Sequence, residues 1–268
     1  MTTTHSQVID AIDVRISTRD FNPDPIEDAL LRQLKQNIDA MSLLSDARFT
    51  FLENHSELFD RSVQERGEFN GAAHLIVLSG PRDDTETIEK TGFYGQRLAL
   101  TAVLEGLATC WVDQSIDLEA ASKLAQVRAD KGEIAYAAIA VGYFTDQETV
   151  LKKSYEERAA FQQSHRSGET IAAIGAVDKS SPAWYRNAIT AVAKAPFPAN
   201  KQPIRFKLHD DERHVSVSLD EPLSLGTVRD HLVLGIDKLH FQIGAAADPD
   251  NASAGEWSWG FNGVFTVR

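Results

Sequence analysis

Between Gly92 and Leu107 the apolar residues Phe93, Tyr94, Leu98, Leu100, Val103, Leu104 and Leu107 fall around most of the circumference of a helix, not along one stripe. A helix of that kind is a central one, and other layers must cover it. Two apolar runs are the candidates for those layers. Ala72 to Ser79, bounded by Gly71 and Gly80, is apolar without a break at Leu75-Ile76-Val77-Leu78 and predicts a strand buried on both faces. Glu133 to Phe144 predicts a second central strand. His74, at the edge of the first run, reads as a structural histidine, because no second ligand residue stands at a helical or strand spacing from it.

The rest of the chain supplies a surround. Ile26, Leu30, Leu31, Leu34, Ile38 and Met41 recur at helical spacing and predict a surface helix with one buried face. Phe49 to Leu52 predicts a strand, residues 53–68 a mixture of loop and helix, and residues 82–91 a charged loop. Asp117 is placed to cap a helix running to about Val127. After a polar connection over 162–179 the pattern restarts: Ser181-Pro182 offers an N-cap and a first-turn proline, and Trp184, Ala188, Ile189, Val192 and Ala195 make an apolar face. Strands are expected at Ile204 to Leu208 and His214 to Leu219, then an apolar helix from Ser224 to Gly244. The alternation from Gly255 to Phe261 predicts a closing strand.

A chain of 268 residues can bury a full core without staples. Its formal net charge of −12 argues against general binding to nucleic acid or an anionic membrane, so any anionic ligand must be held by a local cluster of arginines. Cys110 is the only cysteine, which leaves no intrachain disulfide and no cysteine metal cage, and no metal site is expected. Met1 to His5 lacks the basic and apolar regions of a signal peptide and no apolar run approaches a membrane span, which makes the cytoplasm the expected location.

One local arginine cluster stands out at Val14-Arg15-Ile16-Ser17-Thr18-Arg19-Asp20-Phe21. An extended backbone there would aim Arg15, Ser17 and Arg19 towards one side. Two guanidinium forks and a hydroxyl suit a phosphate, since arginine gives bidentate, charge-assisted hydrogen bonds at any working pH. A solvated basic turn among acidic neighbours is the plainer reading of the same residues.

The segment resembles the N-terminal signature of the nitroreductase family of flavin mononucleotide (FMN) enzymes, in which a short helix leads into Arg-x-Ser-x-Arg/Lys-x-Phe and an acidic, proline-containing turn. Asp10 to Val14 and Phe21 to Ile26 stand in those places. A second match is Gln96-x-Leu98 followed by Gly106-Leu107-Ala108-Thr109-Cys110-Trp111-Val112-Asp113. The resemblance implies that this turn lies against the flavin ring and that the backbone N–H of Asp113 or its neighbour approaches the flavin N5. Cys110 and Trp111 also read as plain core residues, and nothing nearby in sequence lowers the thiol pKa enough to make Cys110 a nucleophile. A third match is Val141-Gly142-Tyr143, after which Lys152 or Lys153 is either a further phosphate ligand or part of a solvated pair.

The fourth match is Ala195-Pro196-Phe197-Pro198-Ala199-Asn200-Lys201-Gln202-Pro203-Ile204-Arg205-Phe206, similar to the family's Ala-Pro-Ser-x-x-Asn-x-Gln-Pro-Trp-x-Phe. Pro196, Pro198, Asn200 and Gln202 are its cofactor-binding candidates. In the family this loop follows the first helix, whereas here nothing like it follows Met41. Family members are intertwined homodimers that build each flavin site from both subunits, so the displaced loop implies two fused halves, 1–165 and a trimmed 166–268, forming an internal pseudo-dimer. Phe197 and Pro198 depart from the small, hydroxyl-bearing residues of the family loop, Ile204 from its Trp, and Gln114 from a frequent Gly.

What the resemblance implies is an α+β fold, with central mixed or antiparallel sheets flanked by helices, and an FMN-dependent NAD(P)H oxidoreductase. In such enzymes NAD(P)H reduces the flavin at N5, and the electrons pass to a nitro, quinone or related small-molecule acceptor in a ping-pong cycle. The flavin carries that chemistry, which accords with a sequence offering no acid-base dyad or triad and no Rossmann-type fingerprint; no catalytic side chain is assigned. The altered 196–200 loop supports an alternative, a degenerate flavin-binding module without turnover. A monomer or weak homodimer with no nucleic-acid or membrane partner is expected.

Overall fold

The computed structural model describes residues 5–59, 69–112, 115–145, 171–196, 203–219, 227–248, 255–260 and 262–267. Helix α1 (His5–Val14) leads through a short strand β1 (Phe21–Asn22) into α2 (Asp28–Ser45), β2 (Arg48–Leu52), β3 (His74–Pro81), α3 (Thr85–Leu104), β4 (Ala108–Val112), α4 (Leu118–Leu124) and β5 (Glu133–Phe144). The second part holds α5 (Ile171–Gly175), α6 (Ala183–Val192), β6 (Ile204–Leu208), β7 (His214–Leu219), α7 (Thr227–Ala246), β8 (Glu256–Trp257) and β9 (Val264–Thr266). Among the described residues no helix is long and apolar enough to cross a membrane.

The first sheet is antiparallel and runs β2-β3-β5, with β4 and then β1 sharing the far edge of β5. β3 and the middle of β5 are buried on both faces, as their unbroken apolar runs require. One face packs on α2 and α3 through Leu34, Ile38, Leu98, Ile76, Leu78 and Ile139. Burying side chains such as Leu34 and Ile38 contributes about 1.5–3 kcal/mol each. The other face packs on α4 and on Phe59 and Phe69. The second sheet, β6-β7-β9-β8, is also antiparallel and packs on α6 and α7 through Phe206, Phe241, Trp257 and Phe265.

The order α2-β2-β3-α3-β4-α4-β5 resembles α6-β6-β7-α7-β8-β9, which has no equivalent of α4 among the described residues, and the sheet order β2-β3-β5-β4 resembles β6-β7-β9-β8. Helices α3 and α7 cross at two glycines. A Cβ on Gly92 would stand 2.1 Å from the Leu232 carbonyl oxygen, and one on Gly235 would stand 1.9 Å from that of Glu89. The contact is reciprocal, each glycine facing the carbonyl of the residue three before the other glycine. Helix α1 closes the group, with Ala11 and Ile12 packed against Phe93, Leu100, Leu239 and Ile243.

Four expectations from the sequence need correction. Helix α3 begins at Thr85, inside the stretch expected to be loop, because the Asp84 carboxylate accepts from the Thr87 N–H at 3.0 Å and caps it. Helix α6 begins at Ala183 with Pro182 at the cap position and no side-chain cap; the Ser181 hydroxyl is taken up by Asp178 instead. Helix α7 is not simply apolar, since it buries Asp230, His231, Asp237, Lys238 and His240. The closing strand is a hairpin partner, β8, and its mate β9 carried too short a pattern to be expected.

Candidate functional site

The basic element leaves α1 with the Arg15 N–H still bonded to the Ala11 carbonyl at 2.9 Å. It then runs beside β4: the Thr18 N–H donates to the Thr109 carbonyl at 3.1 Å, and Ser17 forms a parallel bridge with Thr109. Asn70 holds the other side, donating to the Arg19 carbonyl at 2.7 Å and accepting from the Phe21 N–H at 2.9 Å. Gly71 permits that approach: its φ is +67°, and a Cβ there would lie 1.9 Å from the Phe21 carbonyl oxygen. β1 then pairs Phe21 with Phe144 at the end of β5. Backbone hydrogen bonds on both sides thus fix the element against the sheet.

The side chains do not share one environment. Arg15 and Thr18 are buried while Ser17 and Arg19 are exposed, so the expectation that alternate residues would present alike on one side holds only for the last two. Burial pushes the Cys110 thiol up to about 11, while the charges of Arg19 and Arg15 and the polar side chain of Ser17 favour its ionised form. Cys110 is therefore a neutral thiol at ordinary pH, not a nucleophile, because burial outweighs two guanidinium groups. The arginines concentrate positive charge at the edge of a sheet in a chain of net charge −12. Two guanidinium groups and a hydroxyl on one docked segment are a donor set whose chemistry fits an anionic cofactor tail.

β4 ends at Val112, immediately before Asp113. From the second half, the Lys194 ammonium forms an ion pair with Asp13, two residues before Arg15. Pro196, half-buried, follows two residues after Lys194. A cleft of about 220 Å³ lies beside this ion pair, between Ile9, Ile12, Thr190 and Gly244. Asp113, Lys152, Lys153, Phe197, Pro198, Asn200 and Gln202 lie outside the described residues. The structure therefore brings Arg15, Ser17 and Arg19 together, and carries the start of the 195–206 loop towards them.

Beneath the site runs a buried polar chain that the sequence reading did not single out. Trp111 Nε1 donates to Gln96 Oε1 at 2.9 Å, Gln96 Nε2 lies 2.9 Å from His240 Nε2, and His240 Nδ1 lies 2.9 Å from the Ala191 carbonyl oxygen. A carbonyl only accepts, so Nδ1 carries the proton and Nε2 accepts from the Gln96 amide: the imidazole is neutral. Beside it the fully buried Glu89 and Lys238 pair at 2.5 Å, and the ammonium also donates to the Ser258 and Gly260 carbonyls at 3.0 and 3.1 Å. Burial raises the Glu89 pKa and lowers that of Lys238, and their mutual attraction opposes both shifts. The signal available in the sequence was slight: Glu89 falls in the stretch expected to be loop, and Gln96, Lys238 and His240 are polar residues within runs expected to form apolar helices.

His74 is buried, stacks on Phe51 at 5.9 Å and accepts from the Asn54 N–H at 3.3 Å through Nδ1. These are the contacts of a structural residue. Among the described residues no group of three or more His, Cys, Asp or Glu is placed to hold a metal ion.

A family model described as "Putative TM nitroreductase" matches residues 7–245. Among solved structures, a Thermotoga maritima MSB8 protein described as a "putative nitroreductase" aligns with a TM-score of 0.58 at 14% identity, covering 100% of this chain and 96% of its own. A nitroreductase with bound FMN from Desulfitobacterium hafniense DCB-2 aligns with a TM-score of 0.42 at 21% identity, over 54% of this chain and 91% of its own. An FMN-dependent nitroreductase from Mycobacterium smegmatis, solved with NADPH, aligns with a TM-score of 0.41 at 16% identity, over 56% of this chain and 93% of its own. No curated protein matches the chain.

Proposed function

The chain belongs to the TM nitroreductase family, and from that premise we propose that it is an FMN-dependent NAD(P)H oxidoreductase acting on a nitro, quinone or related small-molecule acceptor. The observation that carries this reading is the docking of the Arg15–Arg19 element along β4, where the Thr18 N–H donates to the Thr109 carbonyl and Ser17 bridges Thr109, with Lys194 bonded to Asp13 beside it. Arg15 and Arg19 neutralise the cofactor phosphate, and Ser17 hydrogen-bonds the phosphate or the ribityl chain. The backbone at Asp113 and the loop carrying Pro196, Pro198, Asn200 and Gln202 hold the ring, with Lys153 a further phosphate ligand. FMN, when bound, supplies the two-electron chemistry of a ping-pong exchange; this chain's residues bind it, orient it and set the field around it.

The chain is read as a fused pair of halves, 1–165 and 166–268, working as a monomer or a weak homodimer. Support comes from the repeated element and sheet order and from the reciprocal glycine crossing of α3 and α7. One feature favours a second reading, a flavin-binding module without turnover: Phe197 and Pro198 add bulk and remove a hydroxyl where the family loop is small.

Absorbance spectroscopy on the purified protein tests both. A yellow flavin spectrum that bleaches on adding NAD(P)H supports the oxidoreductase. A flavin spectrum that NAD(P)H leaves unchanged supports the binding module. A colourless protein that FMN does not reconstitute overturns the flavin assignment.

A further inference from the structure

The Arg15–Arg19 segment is held at both ends, and its two anchors are joined to each other through the core. At one end Asp13, two residues before Arg15, pairs with the Lys194 ammonium. At the other the Thr18 N–H donates to the Thr109 carbonyl, and Ser17 bridges Thr109 on β4. We infer that Gln96 and His240 are positioning residues of the cofactor site, because they tie β4 to the turn that carries Lys194 and so fix the distance between the two anchors. The inference rests on the flavin reading of that site and goes beyond it by giving a role to two buried residues outside the basic segment.

The joining contacts run in one direction. Trp111, two residues beyond Thr109 on β4, donates its indole N–H to Gln96 Oε1 at 2.9 Å. Gln96, on α3, gives an amide N–H to His240 Nε2 on α7 at 2.9 Å. His240 Nδ1 donates to the Ala191 carbonyl oxygen at 2.9 Å, and the same oxygen accepts from the backbone N–H of Lys194 at 3.0 Å. The path from β4 thus ends on the atom that turns the chain from α6 into Lys194. With Lys194 on Asp13 and Thr109 on Thr18, it closes into a ring through α1, β4, α3, α7 and α6.

The chemistry of the ring makes it stiff. Gln96 and His240 are both 0% exposed, so water supplies no substitute partner, and a group left unmet costs more than its hydrogen bond contributes. An indole N–H only donates and a carbonyl only accepts, so the amide and imidazole between them cannot reverse without setting one N–H against another. The indole is also packed directly on α3, where a Cβ on Gly95 would lie 2.8 Å from the Trp111 ring. Apolar side chains of the same size would fill the space between α3 and α7, but they would not specify where Trp111 and the Ala191 carbonyl stand.

The test pairs a spectroscopic signature with FMN affinity, on full-length variants checked for native circular dichroism. In proton–nitrogen correlation spectra the Trp111 indole signal is identified by its loss in Trp111→Phe. His240→Leu is expected to shift that signal in the FMN-free protein, although Gln96 stands between the two residues. It is also expected to weaken FMN binding, read by fluorescence titration, about 5- to 50-fold. Gln96→Met, close to glutamine in length and volume, is expected to do the same, and it carries the comparison alone should the leucine variant not fold. His240→Asn keeps a side-chain N–H for the Ala191 carbonyl and is expected to bind FMN more tightly than His240→Leu. Ser79→Ala removes a buried hydroxyl bonded to the Arg48 carbonyl, outside the ring, and should stay within about twofold of the parent. An unmoved indole signal, parental FMN affinity in Gln96→Met, an asparagine variant no better than the leucine one, or an equal loss in Ser79→Ala each overturns the positioning role and leaves the flavin reading in place. No FMN binding by the parent protein overturns the flavin reading, and the assignment of Gln96 and His240 to a cofactor site with it.

Discussion

The Lys194 ammonium lies against the Asp13 carboxylate, joining residues 181 apart in sequence, one just before the basic element and the other just before Pro196. Both side chains are largely shielded, at 18% and 17% exposure, so the pair is worth more than a solvated surface bridge. Lys194→Met keeps most of the apolar stem and removes the charge. We expect a loss of about 1–2 kcal/mol in urea denaturation and a severalfold weaker FMN affinity. Unchanged FMN affinity would mean that the ion pair does not position the cofactor loop.

Arg19 is expected to matter through its charge. A hydrogen bond to a charged group contributes about 1.5–3 kcal/mol, so Arg19→Ala should weaken FMN binding by roughly 10- to 150-fold. Lys90 is the control, a cation paired with Glu86 and Asp46 away from β4, and Lys90→Ala should stay within about twofold. Fluorescence titration of FMN decides, and equal effects would remove the phosphate role from Arg19.

The Glu89–Lys238 pair is fully buried between α3 and α7. Removing one partner strands the other charge, so Glu89→Leu or Lys238→Met alone should cost about 3–5 kcal/mol. The double variant should recover a large part of that loss, because two apolar side chains need no counter-charge. Additive single effects in chemical denaturation would contradict the pairing.

At Gly92 two effects compete. Replacing glycine by alanine inside a helix ordinarily gains about 1 kcal/mol from propensity. Here the added Cβ would meet the Leu232 carbonyl oxygen at 2.1 Å, and backbone cannot step aside cheaply. Overpacking of about 1–3 kcal/mol or more should win, and Gly92→Ala and Gly235→Ala should both lower the melting temperature. A rise for either would show that the two helices do not cross there.

Stability should depend on pH through His74. Burial lowers its pKa below the ordinary 6.5, with the Glu53 charge opposing. As pH falls through 6.5 the unfolded chain takes up a proton that the native protein still refuses, so stability rises with pH between the lowered native value and 6.5. Above that window His74 contributes no slope. His231, lowered by burial and by the charge of Lys238, adds a slope of the same sign. Urea denaturation from about pH 5 to about pH 8 should show His74→Gln flattening this dependence without abolishing it. An unchanged slope would place His74 in water.

Strands β3 and β5 were legible because unbroken apolar runs such as Leu75 to Leu78 have few ways to be buried. The start of α3 was not, because Thr87, Glu89 and Thr91 are polar yet buried, and periodicity counts them as loop. The composition of the basic element was legible, but its geometry was not. Thr18 and Ser17 dock on Thr109, a contact between distant parts of the chain, and Arg15 is buried where an alternating strand would have left it beside Ser17 and Arg19. The neighbourhood of Cys110 was hidden for the same reason: the groups acting on its thiol come from the N-terminal segment. The buried chain through Gln96 and His240 joins residues 144 apart, and no local pattern pairs them.

Helices α3 and α7 meet at Gly92 and Gly235 while belonging to one polypeptide. Their docking is consequently a first-order event, set by the tether between them and not by how much protein is present. Where two helices on separate chains would drift apart on dilution, these two stay paired however dilute the protein.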